Sequence, residues 1–189
     1  ADDARLEGKA TGSFLHGVGI NTDLAPVLDV DAVPGSVMHY RAFGSDPRQV
    51  SALGLAFAAG LAKDRVLATA KHFPGLGSTA ESTDGRRPVY GVVRAKELAG
   101  FRAAIEAGVP CVMVSHAIYP RFGRSPASIE PEAYRLLRSQ GFAGVAITDE
   151  LGVLGHARAA EWARRAVTAG ADLVLFSSPA SAARAIEAL

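Results

Sequence analysis

Short apolar runs alternate with longer amphipathic runs along the whole chain. The first periodic stretch, about Ala4–His16, predicts a helix. A strand is expected around Thr22–Ala25, cut short by Pro26. A polar loop follows over Asp29–Asp46. The next helix begins with Asp46 as N-cap and Pro47 in the first turn, where a missing N–H costs little. Four more strand-and-helix pairs are predicted. The strands are Val66–Phe73, Val109–His116, Phe142–Asp149 and Ala171–Ser178. The helices are Ala95–Ala107, Pro131–Gln140, Ala157–Ala169 and a last one over SAARAIEAL, with a polar loop at Gly75–Arg87 before the first of them. The strand runs are apolar without strict alternation, which predicts a parallel sheet buried on both faces. Five repeated βα units imply an α/β fold, either an open doubly wound sheet or a barrel.

Length separates these options only partly. The chain has 189 residues, one ordinary domain, while a complete eight-fold β/α barrel takes roughly 250. Hydrophobic residues make up 49%, and 20 basic residues against 19 acidic ones leave a net charge of +1. Disorder and nucleic-acid binding therefore lose support. No apolar run approaches the roughly 20 residues of a membrane span. The lone Cys111 excludes an internal disulfide and a cysteine-only zinc site. The start at Ala1, without a signal-like stretch, reads as a processed or excised chain. Its compartment is left open: a soluble protein, cytoplasmic or of the cell envelope after leader removal. There is no GxGxxG after the first strand and no GxxxxGK[ST], which removes the dinucleotide and P-loop readings.

Chemistry gathers at one end of the predicted strands. Ligands of α/β folds bind beyond the carboxyl ends of the strands. Those ends carry Asp29 with Arg41 in the loop beyond, Lys71–His72, Ser115–His116, Thr148–Asp149–Glu150 and Ser177–Ser178. The opposite ends are bland. Taken singly, Asp149 also reads as a helix cap and His116 as a satisfied core histidine. Met113 and Trp162 read as packing residues, and Cys111 as an inert core thiol. Lys71–His72 before Phe-Pro-Gly is harder to dismiss, because a buried ammonium beside an imidazole needs negative charge nearby.

Two chemistries fit this convergence. In glycoside hydrolysis, Asp149 is a carboxylate nucleophile while Arg41, Lys71 and His72 grip sugar hydroxyls, and a second group acts as acid/base. In metal-assisted hydrolysis, His72, His116 and Asp149 are the ligands. The metal alternative lacks HxH or HExxH spacing, and Lys71 would oppose the cation.

Several stretches resemble family 3 glycoside hydrolases of the β-N-acetylhexosaminidase branch. These are GINTDLAPVLDV (19–30), RAFGSDPRQV (41–50), AKHFPGLGST (70–79), MVSHAIYP (113–120), AITDELGVLG (146–155) and AGADLVLF (169–176), in family order. The resemblance implies a TIM-barrel-like domain acting on β-linked N-acetylglucosamine units, for example from peptidoglycan turnover, with no metal or organic cofactor. It puts the nucleophile on Asp149, sugar-binding roles on Arg41, Lys71 and His72, and His116 on the wall of the same pocket.

The departures are as informative. Relatives carry KHFPGHG followed by Asp-Ser-His, whose histidine is the acid/base. Here the stretch is KHFPGLGSTAESTD, with Leu76 for the first histidine, Ser82 for the aspartate and Asp84 for the catalytic histidine. Glu81 or Asp84 is then expected to supply the acid/base, with a pKa raised by burial or by Asp149. The alternative is a degenerate carbohydrate-binding remnant without catalysis. By motif order, residues 1–189 form one domain matching strands three to seven of the family barrel, truncated at both ends. Its open sheet edges would need cover from a second copy or partner chain, from rearranged helices, or from further parts of a longer chain.

Overall fold

A computed structural model of the chain describes residues 1–85 and 87–189; Arg86, in the expected Gly75–Arg87 loop, lies outside the described residues. Helix α1 (Asp2–Gly17) is followed by β1 (Thr22–Asp23), α2 (Pro47–Leu61), β2 (Leu67–Phe73) and α3 (Ala95–Glu106). Then come β3 (Cys111–Val114), α4 (Pro131–Ser139), β4 (Val145–Glu150), α5 (Ala159–Ala169), β5 (Leu173–Leu175) and α6 (Pro179–Ile186). The strands pair in chain order, β1-β2-β3-β4-β5, and every pair is parallel. The sheet curls into a half-barrel, as expected of an incomplete TIM-barrel-like domain.

Local sequence explains most boundaries. Asp46 caps α2 by accepting the Arg48 N–H at 2.9 Å, with Pro47 behind it. Strand β1 is shorter than expected because Pro26 has no N–H to pair; the Ala25 and Pro26 carbonyls still accept from the Thr69 and Lys71 N–H groups of β2, and the next donor from this side is the Leu28 N–H, to the Lys71 carbonyl. The helix expected from Ala157 starts two residues later. Residues 151–158 instead form two 3₁₀ turns, Leu151–Leu154 and His156–Arg158.

The core lies between the sheet and its helices. Strand β3 is buried throughout, and Phe73 meets Phe101 of α3 edge to face at 5.4 Å. Burying each such ring contributes about 1.5–3 kcal/mol. Helices α1 and α2 cross closely because Gly8 faces the Phe57 carbonyl and Gly60 faces the α1 backbone, with no room for a Cβ at either. At the amino-terminal end of the sheet, Asp172 accepts from the Ala146 N–H at 2.7 Å and pairs with Arg138 of α4. That aspartate is a structural clamp on β4. Trp162 donates to the Leu154 carbonyl at 3.0 Å and carries Arg158 over its ring at 4.1 Å, consistent with a packing role. Strand β5 is an edge, with Leu173 about half exposed. No helix among the described residues is long and apolar enough to cross a membrane.

Candidate active site

The candidate residues sit where β1, β2 and β4 end. Beyond β1 the chain runs through Asp29 and a series of turns to Arg41. That loop is braced on the one after β2: the Ala32 N–H donates to the Gly77 carbonyl at 3.2 Å, and the Val37 N–H to the Thr79 carbonyl at 2.9 Å. The Gly77 Cα lies against the Val30 carbonyl, leaving no space for a side chain.

A cavity of about 140 Å³ opens between these segments. Arg41, Lys71, His72, Asp84 and Asp149 line it, with Met113 on its wall. Two cationic side chains and two carboxylates surround one small space. Such a wall has donors and acceptors in balance, which suits a neutral, hydroxyl-rich ligand. Met113 thus has a place in the cavity as well as in the core.

Asp29 builds one side of it. The residue is fully buried, and its carboxylate accepts three hydrogen bonds. These come from the His72 Nδ1–H at 2.7 Å, the His72 backbone N–H at 3.2 Å and the Leu76 N–H at 2.6 Å. Because Nδ1 donates to the carboxylate, a neutral His72 keeps its lone pair on Nε2. Burial and then the Arg41 charge lower the Lys71 pKa, while Asp149, Asp23 and Asp29 pull it back up. Asp23, whose own pKa burial raises, belongs to the same charge cluster.

Asp149, the penultimate residue of β4, is half-buried, its Oδ1 accepting the Glu150 N–H at 2.9 Å. The neighbouring Glu150 carboxylate clamps this corner. It accepts from the Gly152 N–H at 3.0 Å, the Val153 N–H at 3.1 Å and, from beyond β5, the Ser177 N–H at 3.0 Å.

The two acid/base candidates part company. Asp84 lines the cavity, and its Oδ2 accepts from the Ser82 hydroxyl at 2.9 Å. Glu81 is exposed and outside the lining. His116 is also outside it, on the wall of an adjoining groove of about 670 Å³ that shares Thr83 and Asp84 with the cavity. Both His116 nitrogens are engaged: Nε2 donates to the Glu150 carbonyl at 2.7 Å, and Nδ1 accepts from the Ser128 hydroxyl at 2.6 Å. Burial lowers its pKa and keeps the ring neutral. The metal alternative with His72, His116 and Asp149 fails on this geometry. His116 has no free lone pair, and no three His, Cys, Asp or Glu among the described residues are grouped to hold an ion. Cys111 is a buried thiol whose pKa burial pushes up, as an inert core residue requires.

Residues 1–189 match the family model described as glycosyl hydrolase family 3 N terminal domain. The chain belongs to glycosyl hydrolase family 3. A beta-hexosaminidase of Thiobacillus denitrificans is 37% identical over 182 residues, which cover 91% of this chain and 50% of that protein. The family 3 beta-N-acetylglucosaminidase structure from Paenibacillus sp. str. FPU-7 superposes with a TM-score of 0.92 at 34% identity, over 98% of this chain and 38% of its own. The beta-N-acetylhexosaminidase of Beutenbergia cavernae gives 0.90 at 32%, over 100% and 61%. The chain thus spans about half the length of the first of these relatives.

Three residues that build this candidate site are not marked as such by the sequence pattern. Asp29 and Glu150 were visible only as strand-end acids, although a charge inside APVLDV has to find buried donors. Glu97, fully buried beneath the Gly75–Ser78 segment, shares a helix face with Phe101 and Ala104. That spacing was the available signal.

Proposed function

We propose that this family 3 chain carries the nucleophile face of a retaining β-N-acetylglucosaminidase acting on glycans such as peptidoglycan fragments. The observation that supports it is the meeting of Asp149 and Asp84 in one cavity with Arg41, Lys71 and His72. In this reading an Asp149 carboxylate oxygen bonds to the anomeric carbon as the glycosidic C–O bond breaks. Asp84 gives its proton to the leaving oxygen. Asp84 then takes a proton from water, the water oxygen attacks the anomeric carbon, and Asp149 is released. Arg41, Lys71 and the His72 Nε2 hold hydroxyls of the sugar.

The test compares Asp149→Ala, Asp84→Asn and Glu81→Ala on a chitooligosaccharide and on an activated aryl N-acetylglucosaminide. Asp149→Ala abolishes both activities. Asp84→Asn lowers kcat/KM on the natural glycoside by about 10²–10⁴ and far less on the activated one, whose leaving group needs little protonation. Glu81→Ala changes little. Wild-type rates in Asp84→Asn sink the assignment.

A second reading, a carbohydrate-binding remnant, is favoured by the exposure of Asp84 and its tie to Ser82 rather than to a histidine. Calorimetric binding of the oligosaccharide without turnover supports that reading. In either case the edge strands β1 and β5 leave backbone for further chain or a second copy to cover.

A further inference from the structure

Glu97 is the buried acid that the proposed chemistry does not use. It lies in the first turn of α3 and is fully buried, and neither carboxyl oxygen has a hydrogen-bond partner among the described residues. Its side chain packs against Gly75, whose φ of +130° turns the chain between His72 and Leu76 and whose Cα leaves no room for a Cβ. An ionised carboxylate in such a place, with the Ser78 hydroxyl nearby but no donor in hydrogen-bond geometry to replace water, carries a desolvation cost of several kcal/mol. The cheaper state is the neutral acid.

The surroundings agree. Burial is the main cause that pushes the Glu97 pKa up to about 7, and the Asp29 charge adds to it. Arg94 and Lys96, on or beside its own helix, and the Ser78 hydroxyl pull the other way. Tyr119, whose hydroxyl donates to the Gly75 carbonyl at 2.8 Å, faces the same interior and stays protonated. Asp29 is the carboxylate that fixes His72 and Leu76. A second negative charge on Glu97 would sit beside that anchor, directly under the segment the anchor holds.

We infer that Glu97 is a positioning residue for the His72–Thr79 segment, and that packing this segment against α3 takes up one proton on its carboxyl. The neutral acid fills the space below Gly75 and can donate toward Ser78. When the segment lifts, water reaches the carboxyl and the proton leaves. Closure is therefore favoured by acid. The opening equilibrium grows tenfold per pH unit between the ordinary glutamate value and about 7, and it levels off above that.

Amide hydrogen exchange of the full chain tests this, read at Gly75, Leu76 and Thr79 and corrected for intrinsic rates. The Leu76 N–H donates to Asp29, and the other two donate within the segment. In the wild type, protection falls by up to tenfold per pH unit from pH 5 to 7 and then stays flat. In Glu97→Gln, which keeps the shape and cannot ionise, it is flat throughout. Parallel profiles in the two proteins overturn the inference. Should Glu97→Gln fail to fold, carboxyl ¹³C titration of the wild type decides. A Glu97 midpoint near 7 upholds the proposal, and one below 5 overturns it. Neither readout involves a sugar or turnover, so a failed glycosidase assay leaves this result standing.

Discussion

Asp29→Asn isolates the anchor of the Lys71–His72 corner. The wild-type carboxylate accepts from the His72 Nδ1–H and backbone N–H through Oδ2, and from the Leu76 N–H through Oδ1. An asparagine has one accepting oxygen and one NH₂. If its oxygen faces His72, the NH₂ points at the Leu76 N–H; in the other orientation it faces both His72 donors. At least one charge-assisted bond is lost, worth about 1.5–3 kcal/mol, and one buried donor is left unpaired at about 1–3 kcal/mol. The sum is about 2.5–6 kcal/mol, against a typical total of roughly 5–15 kcal/mol. Urea unfolding at fixed pH measures it as a shift in midpoint at constant slope. The His72 Nδ1–H resonance should also move or vanish by ¹⁵N NMR. A loss under about 1 kcal/mol, with the tautomer unchanged, would refute the reasoning, since water or a neighbour would then replace the carboxylate freely.

Gly77→Ala sets a methyl against the Val30 carbonyl and should cost about 1–3 kcal/mol in thermal or urea unfolding, because both partners are backbone. His116 is held neutral, its pKa below the ordinary 6.5, so the unfolded chain binds the extra proton first. Stability should therefore fall as pH drops below about 6.5, and His116→Gln should flatten that part of the curve in pH-dependent unfolding. Glu150→Gln exchanges a carboxylate that collects three backbone N–H groups for a side chain with one acceptor. Unfolding should show a loss of about 2–4 kcal/mol.

Much of the architecture was legible because it rests on short-range pattern. Proline in first turns, glycine after helices and unbroken apolar strands marked every βα unit, and the clustering of polar residues at strand ends pointed to the candidate cavity. The errors came where a pairing partner is remote in sequence. Pro26 curtailed β1 by removing a donor that would pair with a strand some 40 residues on, and the Glu150 carboxylate that caps the 3₁₀ turn Leu151–Leu154 is itself tied to the Ser177 N–H, 27 residues away. Nor does local pattern reveal that Ser128 and the Glu150 carbonyl occupy both His116 nitrogens. Asp29 meets His72 and Leu76 across 43 and 47 residues, a link that no local periodicity encodes.

The agreement of strand order with chain order has a consequence for how such a molecule is made. Each strand can dock on the one synthesised just before it, so no strand has to wait for a later one before it finds a pairing edge. The growing edge is always the newest strand, which makes assembly vectorial. The sheet is accordingly open to lengthening or shortening by whole units without rethreading the chain.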